Sequence, residues 1–92
     1  MKWRIRFSRQ AYEFAQEHGI YDRALESVRL FINAMITNTP PRVHVKKLKG
    51  QHSRHFSIKL GKKFRIIFKP DNKNLIIHVA RIDFRNKVYR KK

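Results

Sequence analysis

The chain contains no cysteine, which excludes disulfides, thiolate zinc sites and a thiol nucleophile. Glycine and proline are scarce, at three residues each. The glycines at positions 19, 50 and 61 all fall where a turn is expected, so none builds a glycine-rich phosphate loop. Acid is scarce too: six carboxylates stand against 23 lysines and arginines, a formal net charge of +17. No paired carboxylates for acid–base chemistry are visible, since Asp71 falls in a turn and Asp83 stands alone. The apolar runs are far short of a membrane span. Lys2, Arg4 and Arg6 interrupt the early apolar residues, so no signal-like segment is read there and a cytoplasmic location is expected.

What is present suffices for a folded chain. Ninety-two residues with 41% hydrophobic content and seven phenylalanines predict one domain, 1–92, with a marginal core. The charge is unevenly spread. Residues 1–26 hold five cations and four anions, whereas residues 27–92 hold eighteen cations and two anions, a net of +16. A small domain so charged repels itself, and a polyanionic partner relieves that repulsion. The cations fall mostly on strand-like segments, not on one amphipathic helix, which favours nucleic acid or the ribosome over a membrane surface.

Periodicity predicts the order β-α-α-β-β-β-β. "KWRIRFS" alternates, with Trp3, Ile5 and Phe7 on one side and Lys2, Arg4 and Arg6 on the other. Ser8 is placed to cap a helix carrying Ala11, Phe14, Ala15 and His18 on one stripe, which Gly19 stops. A second helix is expected to open at Asp22 as N-cap and to bury Leu25, Val28, Ile32, Met35 and Ile36, with Pro40-Pro41 ending the segment. Strands are read in "VHVKKL", "HFSIKL", "KFRIIFK" and "NLIIHVARI", with "PDNK" as a turn. The fold class is α+β: a small, mostly antiparallel sheet with an N-terminal strand, a helical hairpin on one face and a basic groove on the other. Phe56, Ile58, Leu60, Phe64, Ile66 and Phe68 are expected to face the helices. His55, Ser57, Lys59, Arg65, Ile67 and Lys69 are expected to face outward.

The stretch "KLGKKFRIIFK" concentrates five cations, Lys59, Lys62, Lys63, Arg65 and Lys69, about the Gly61-Lys62 turn signal. His52 and His55 invite a metal reading, but three-residue spacing in a strand sends them to opposite faces with no thiol or carboxylate nearby. Ser53 and Ser57 lack an elbow-like setting. No metal or other cofactor is therefore expected. What remains is Lys59, Arg65, Arg85 and Tyr89. RNA cleavage by attack of a 2′-OH on the adjacent phosphate suits these side chains, because a guanidinium fork can hold two phosphate oxygens. A tyrosine or lysine among cations can transfer protons. On spacing alone, Tyr89 reads equally as core closure and Arg65 as a solvated strand residue.

Taken together, Leu48-Lys49-Gly50, "HFSIKLGKKFRIIFK" and the ending Arg85-Asn86-Lys87-Val88-Tyr89 resemble the RelE/ParE superfamily of toxins from toxin–antitoxin pairs. The resemblance spans nearly the whole chain. It implies a metal-independent mRNA endonuclease that acts at the ribosome and is silenced by an acidic antitoxin protein. Its alternatives are a DNA gyrase poison of ParE type and an inactive RNA- or ribosome-binding relative. It implies catalytic roles for Lys59, Arg65, Arg85 and Tyr89, while Arg54, His55, Lys62, Lys63 and Lys69 are expected to bind RNA. Two positions depart from the family pattern. Ser57 stands where some members carry a second lysine, and Phe84 where many carry a histidine.

Overall fold

A computed structural model of the chain describes residues 2–50 and 54–85. The elements are β1 (Arg4–Phe7), α1 (Arg9–Glu17), α2 (Tyr21–Thr37), β2 (Val45–Lys47), β3 (Phe56–Leu60), β4 (Phe64–Asp71) and β5 (Ile76–Phe84). They form a five-stranded mixed sheet in the order β1-β5-β4-β3-β2, with the two helices packed on one face. β1 runs parallel to β5, and every other pairing is antiparallel. The expected α+β order and layering are thus found. No helix among the described residues is long and apolar enough to cross a membrane.

The first helix starts where the sequence says it should. Ser8 is extended and its hydroxyl accepts from the Ala11 N–H at 3.0 Å, satisfying one of the orphan donors of the first turn. The same hydroxyl donates to the Ala80 carbonyl at 2.8 Å, and the Ser8 N–H donates to the Val79 carbonyl at 2.9 Å. Two residues on, the Gln10 amide acts as a surrogate strand residue. It donates to the Ile82 carbonyl at 2.8 Å and accepts from the Ile82 N–H at 3.2 Å. β1 reaches only to Val79 along β5, so Ser8 and Gln10 take over the backbone groups that lie beyond it.

Several boundaries differ from those read in the sequence. α2 is capped by Ile20 with no side-chain bond, and Asp22 lies inside the first turn, where its charge suits the helix dipole. The short connection His18-Gly19-Ile20 leaves no room for an extra capping turn ahead of Asp22. α2 ends at Thr37 because Asn38 takes the left-handed conformation (φ 55°), two residues before Pro40. Its buried face runs through Ala24, Ser27, Val28, Phe31, Ile32 and Ala34, rotated from the expected stripe, so Ile36 is 52% exposed. Phe31 sets that rotation by packing edge-on against Phe68 at 4.8 Å. β2 is only three residues long. The chain between β3 and β4 is a three-residue turn, Gly61 to Lys63, with Gly61 at φ 64°. The expected 70–73 turn lies two residues further on, after Asp71.

The core is apolar and tight. Ala11, Ala15 and Ala24 have no exposed surface and let the helices approach Ile58, Ile66, Phe68, Ile77 and Ile82 closely. A second cluster lies under the C-terminal half of α1. Phe14 and His18 stack at 4.1 Å, and both meet Phe64 and Phe84 edge-on at 5.3–5.8 Å. Phe64 and Phe84 are register partners stacked at 5.5 Å. This cluster pins the start of β4 to the end of β5.

At the β4–β5 connection Asp71 accepts from the side chain of Asn74 and from the N–H groups of Lys73 and Asn74. The Asn74 side-chain bond, then its backbone bond, hold the Asp71 carboxyl below its ordinary value of 3.8, with His78 and Lys73 adding to the effect. A carboxyl whose value is lower folded than unfolded contributes stability that is present above the unfolded value and is lost as pH falls through the folded one. Acid titration of stability should therefore show a component below pH 3.8 that Asp71→Ala removes, read by thermal melts at stepped pH. Gln10→Ala should cost about 1–3 kcal/mol by leaving the buried Ile82 backbone without its partner. Urea unfolding measures it, and an unchanged midpoint would remove the clamp role given to Gln10.

Candidate phosphate-binding face

The sheet face away from the helices follows from strand parity. Ile5, Phe7, Ile58, Ile66, Phe68, Ile77, Val79 and Ile82 pack toward the helices, so their alternate neighbours point the other way, with the register shift at Ala80 resetting the alternation of β5 between Val79 and Ile82. At one end of that face the registers align Lys59 with Arg65, and Arg65 with Asp83. The next row aligns Lys46, Ser57, Ile67 and Arg81. Arg85 is tied to the same end, since its N–H donates to the Lys63 carbonyl at 2.7 Å. Lys59, Arg65 and Arg85, three residues with proposed catalytic roles, are thus brought to one corner of the sheet. Tyr89, the fourth, lies outside the described residues, as does His52.

The face is not the openly solvated surface expected from alternation. Ser57 is fully buried, Arg65 is only 8% exposed and Asp83 7%. Register across three strands makes the difference. Arg65 lies on a central strand flanked by Lys59 on one side and Asp83 on the other, where a lone amphipathic strand would have left it in water. Asp83 is not the isolated carboxylate of the sequence reading. It accepts from Arg81 Nη2 at 2.7 Å and from the Phe84 N–H at 2.8 Å. An anion between two arginines offsets part of the repulsion that would otherwise oppose assembling this corner. Asp71 and Asp83, the two acids of residues 27–92, occupy opposite ends of this one face.

The remaining predicted RNA contacts divide between locations. Lys62 and Lys63 are exposed in the turn and line a cleft with His18, Gly19 and Arg23, on the helix-hairpin side. Lys69 is half-buried, four residues along β4 from Arg65. Arg54 is exposed and His55 half-buried just before β3, and the His55 carbonyl accepts from the Leu48 N–H at 3.0 Å. Arg81 and Asp83 were missed as site residues. Their signal in the sequence was the alternation of "ARIDF", which places 81 and 83 on the same face as Arg65 once β5 is paired with β4. Phe84 has its own duty in the aromatic cluster with Phe14, His18 and Phe64. Among the described residues no three of His, Asp and Glu gather into a metal-holding group.

Asp83→Ala should destabilise the fold by about 3 kcal/mol, because it strips the buried corner of its carboxylate while Arg65 stays. Adding Arg65→Met to that variant should recover part of the loss, measured as a double-mutant cycle by denaturant unfolding. Simple additivity of the two changes would mean that the buried charges do not act on one another.

No family model matches this chain, and neither does any curated protein at significance. Solved structures do. The archaeal RelE–RelB complex from Pyrococcus horikoshii contains a chain 21% identical, with a TM-score of 0.68, covering 95% of this chain and 99% of that one. The YoeB dimer from Staphylococcus aureus is similar at 19% identity and a TM-score of 0.65, covering 90% of this chain and 97% of that one. YafQ from Escherichia coli is similar at 14% identity and a TM-score of 0.60, covering 96% and 99% respectively. These matches run over almost the full length of both partners, and the chain has the fold of the RelE/ParE-type toxins that its sequence resembles.

Proposed function

We propose that this chain is the toxin of a toxin–antitoxin pair and a metal-independent endoribonuclease that cuts mRNA in the cytoplasm at the ribosome. The observation that carries the reading is the meeting of Lys59, Arg65 and Arg85 at one corner of the sheet, in a fold shared with RelE, YoeB and YafQ. In the reaction the 2′ oxygen attacks phosphorus, the bond to the 5′ oxygen breaks, and one proton moves from the attacking to the leaving side. Arg65 suits the clamp on the non-bridging oxygens: a guanidinium already desolvated and anchored in a sheet reorganises little as charge develops. Lys59 and Arg85 add positive charge beside it. Tyr89 is assigned the proton transfer on the strength of the family resemblance.

The charge supports both partners. A net of +16 over residues 27–92 favours ribosomal RNA as a docking surface and an acidic antitoxin as the silencing protein, with fast, salt-sensitive association. The structural neighbours include an archaeal RelE–RelB complex and a YoeB–YefM toxin–antitoxin complex from S. aureus.

The test is a cell-free translation reaction with a defined mRNA, its cut sites mapped by primer extension. Wild-type chain should cut in register with stalled codons, and Arg65→Ala should lose about 10²–10³ in rate, as for loss of one oxyanion donor. Intact mRNA with wild type, or undiminished cutting by the variant, would sink the ribonuclease assignment or the role of Arg65 respectively. Inhibition of gyrase supercoiling with RNA left whole would move the chain to the ParE type.

A further inference from the structure

The same sheet face carries a second group of basic side chains, distant from Lys59 and Arg65. The parallel register aligns Arg6 with His78, and the antiparallel register aligns His78 with Lys69. Three basic side chains from three neighbouring strands therefore form one row across β1, β5 and β4. Arg4 extends it along β1, and both arginines are exposed. Continuing the β3–β4 register one step past Phe56 and Phe68 brings His55 to the position opposite Lys69. Lys69 lies four residues along β4 from Arg65, a separation of roughly 13 Å at strand rise. Ile67 and Ile76 are buried on this face, giving the region an apolar floor between charged neighbours.

Edge protection accounts for only part of this. A charged outer strand resists pairing with other chains, which explains Arg4 and Arg6 on β1. It does not explain His78 and Lys69, which sit on the two strands inside it. The acid nearby is Asp71, whose oxygens accept from Lys73 and Asn74 and whose Oδ2 lies 3.8 Å from His78 Nε2. Arg4, Arg6 and Lys69 outnumber this one carboxylate, so the row keeps its positive sign.

We infer that Arg4, Arg6, His78 and Lys69 form a second phosphate-binding subsite, which holds a flanking stretch of the same single-stranded RNA away from the scissile phosphate. This inference rests on the ribonuclease reading and extends it. The RNA backbone crosses the face from the Lys59–Arg65 corner toward the β1 edge, with the subsite engaging phosphates of nucleotides other than the one being cut. Phosphate contacts of this kind position a strand without reading its bases.

The experiment measures binding by fluorescence anisotropy, using the full chain and a short labelled single-stranded RNA blocked throughout by 2′-O-methyl groups, over a series of salt concentrations. Three proteins are compared: wild type, Arg4→Gln/Arg6→Gln, and Arg9→Gln/Arg29→Gln, which removes equal charge from the helical layer. Each lost single-strand phosphate contact lowers the salt slope by about 0.7. The β1 double variant should therefore bind more weakly with a slope flatter by about 1.4, while the helical variant keeps the wild-type slope. A β1 variant indistinguishable from wild type, or equal flattening in both variants, overturns the subsite and leaves the ribonuclease reading standing. Wild type that binds no RNA overturns both.

Discussion

Beyond Val79 strand β5 has no strand on its β1 side, and the arrangement of the whole molecule depends on how those backbone groups are satisfied. Ser8 and Gln10 do this with side chains from the start of α1. One hydroxyl both caps the helix and binds the strand, so the first helix cannot shift without disturbing β5. The aromatic cluster repeats the constraint at the far end of α1, where Phe14 and His18 hold Phe64 and Phe84. α1 is thus tied to β5 at both ends, and the opposite face of the sheet inherits that rigidity. Arg65, Asp83 and Arg85 each directly follow or precede a residue fixed on the helix side.

Preorganisation and charge pull in opposite directions at this corner. Lys59, Arg65, Arg81 and Arg85 would repel one another if assembled alone, and burial sharpens the repulsion. Asp83 reduces it at the cost of weakening the field available to an incoming phosphate. The compromise is graded by position. Asp83 binds Arg81 directly and is Arg65's register partner, whereas Lys59 is Arg65's partner on the other side, away from the carboxylate. The corner therefore keeps a cationic flank on β3 and a partly neutralised flank on β5, where Asp83 holds Arg81.

Local chemistry was legible in the sequence and long-range pairing was not. Ser8, Gly19, Gly61 and the alternation of β3 and β4 act within a few residues, and each did what its residue type predicts. Ser57, Arg65 and Asp83 look like surface residues when their strands are read singly. They become buried through neighbours supplied by other strands. Gln10 reads as an ordinary exposed helix residue, because its partner Ile82 lies 72 positions away. Ile36 fits the apolar stripe of α2, yet the helix turned to seat Phe31 against Phe68 and left Ile36 outside. Phe84, which stands where many members of the family carry a histidine, is a packing residue of the sheet's helical side.

The pairing of β1 with β5 has a kinetic consequence. β1 and α1 leave the ribosome well before β5, whose hydrogen-bonding groups pair with them across more than seventy residues. Until that strand emerges, α1 has only nascent local structure, and contacts of such high sequence separation form slowly. The N-terminal segment must wait for most of the chain, and the cationic face comes into being late in synthesis, with the last described strand.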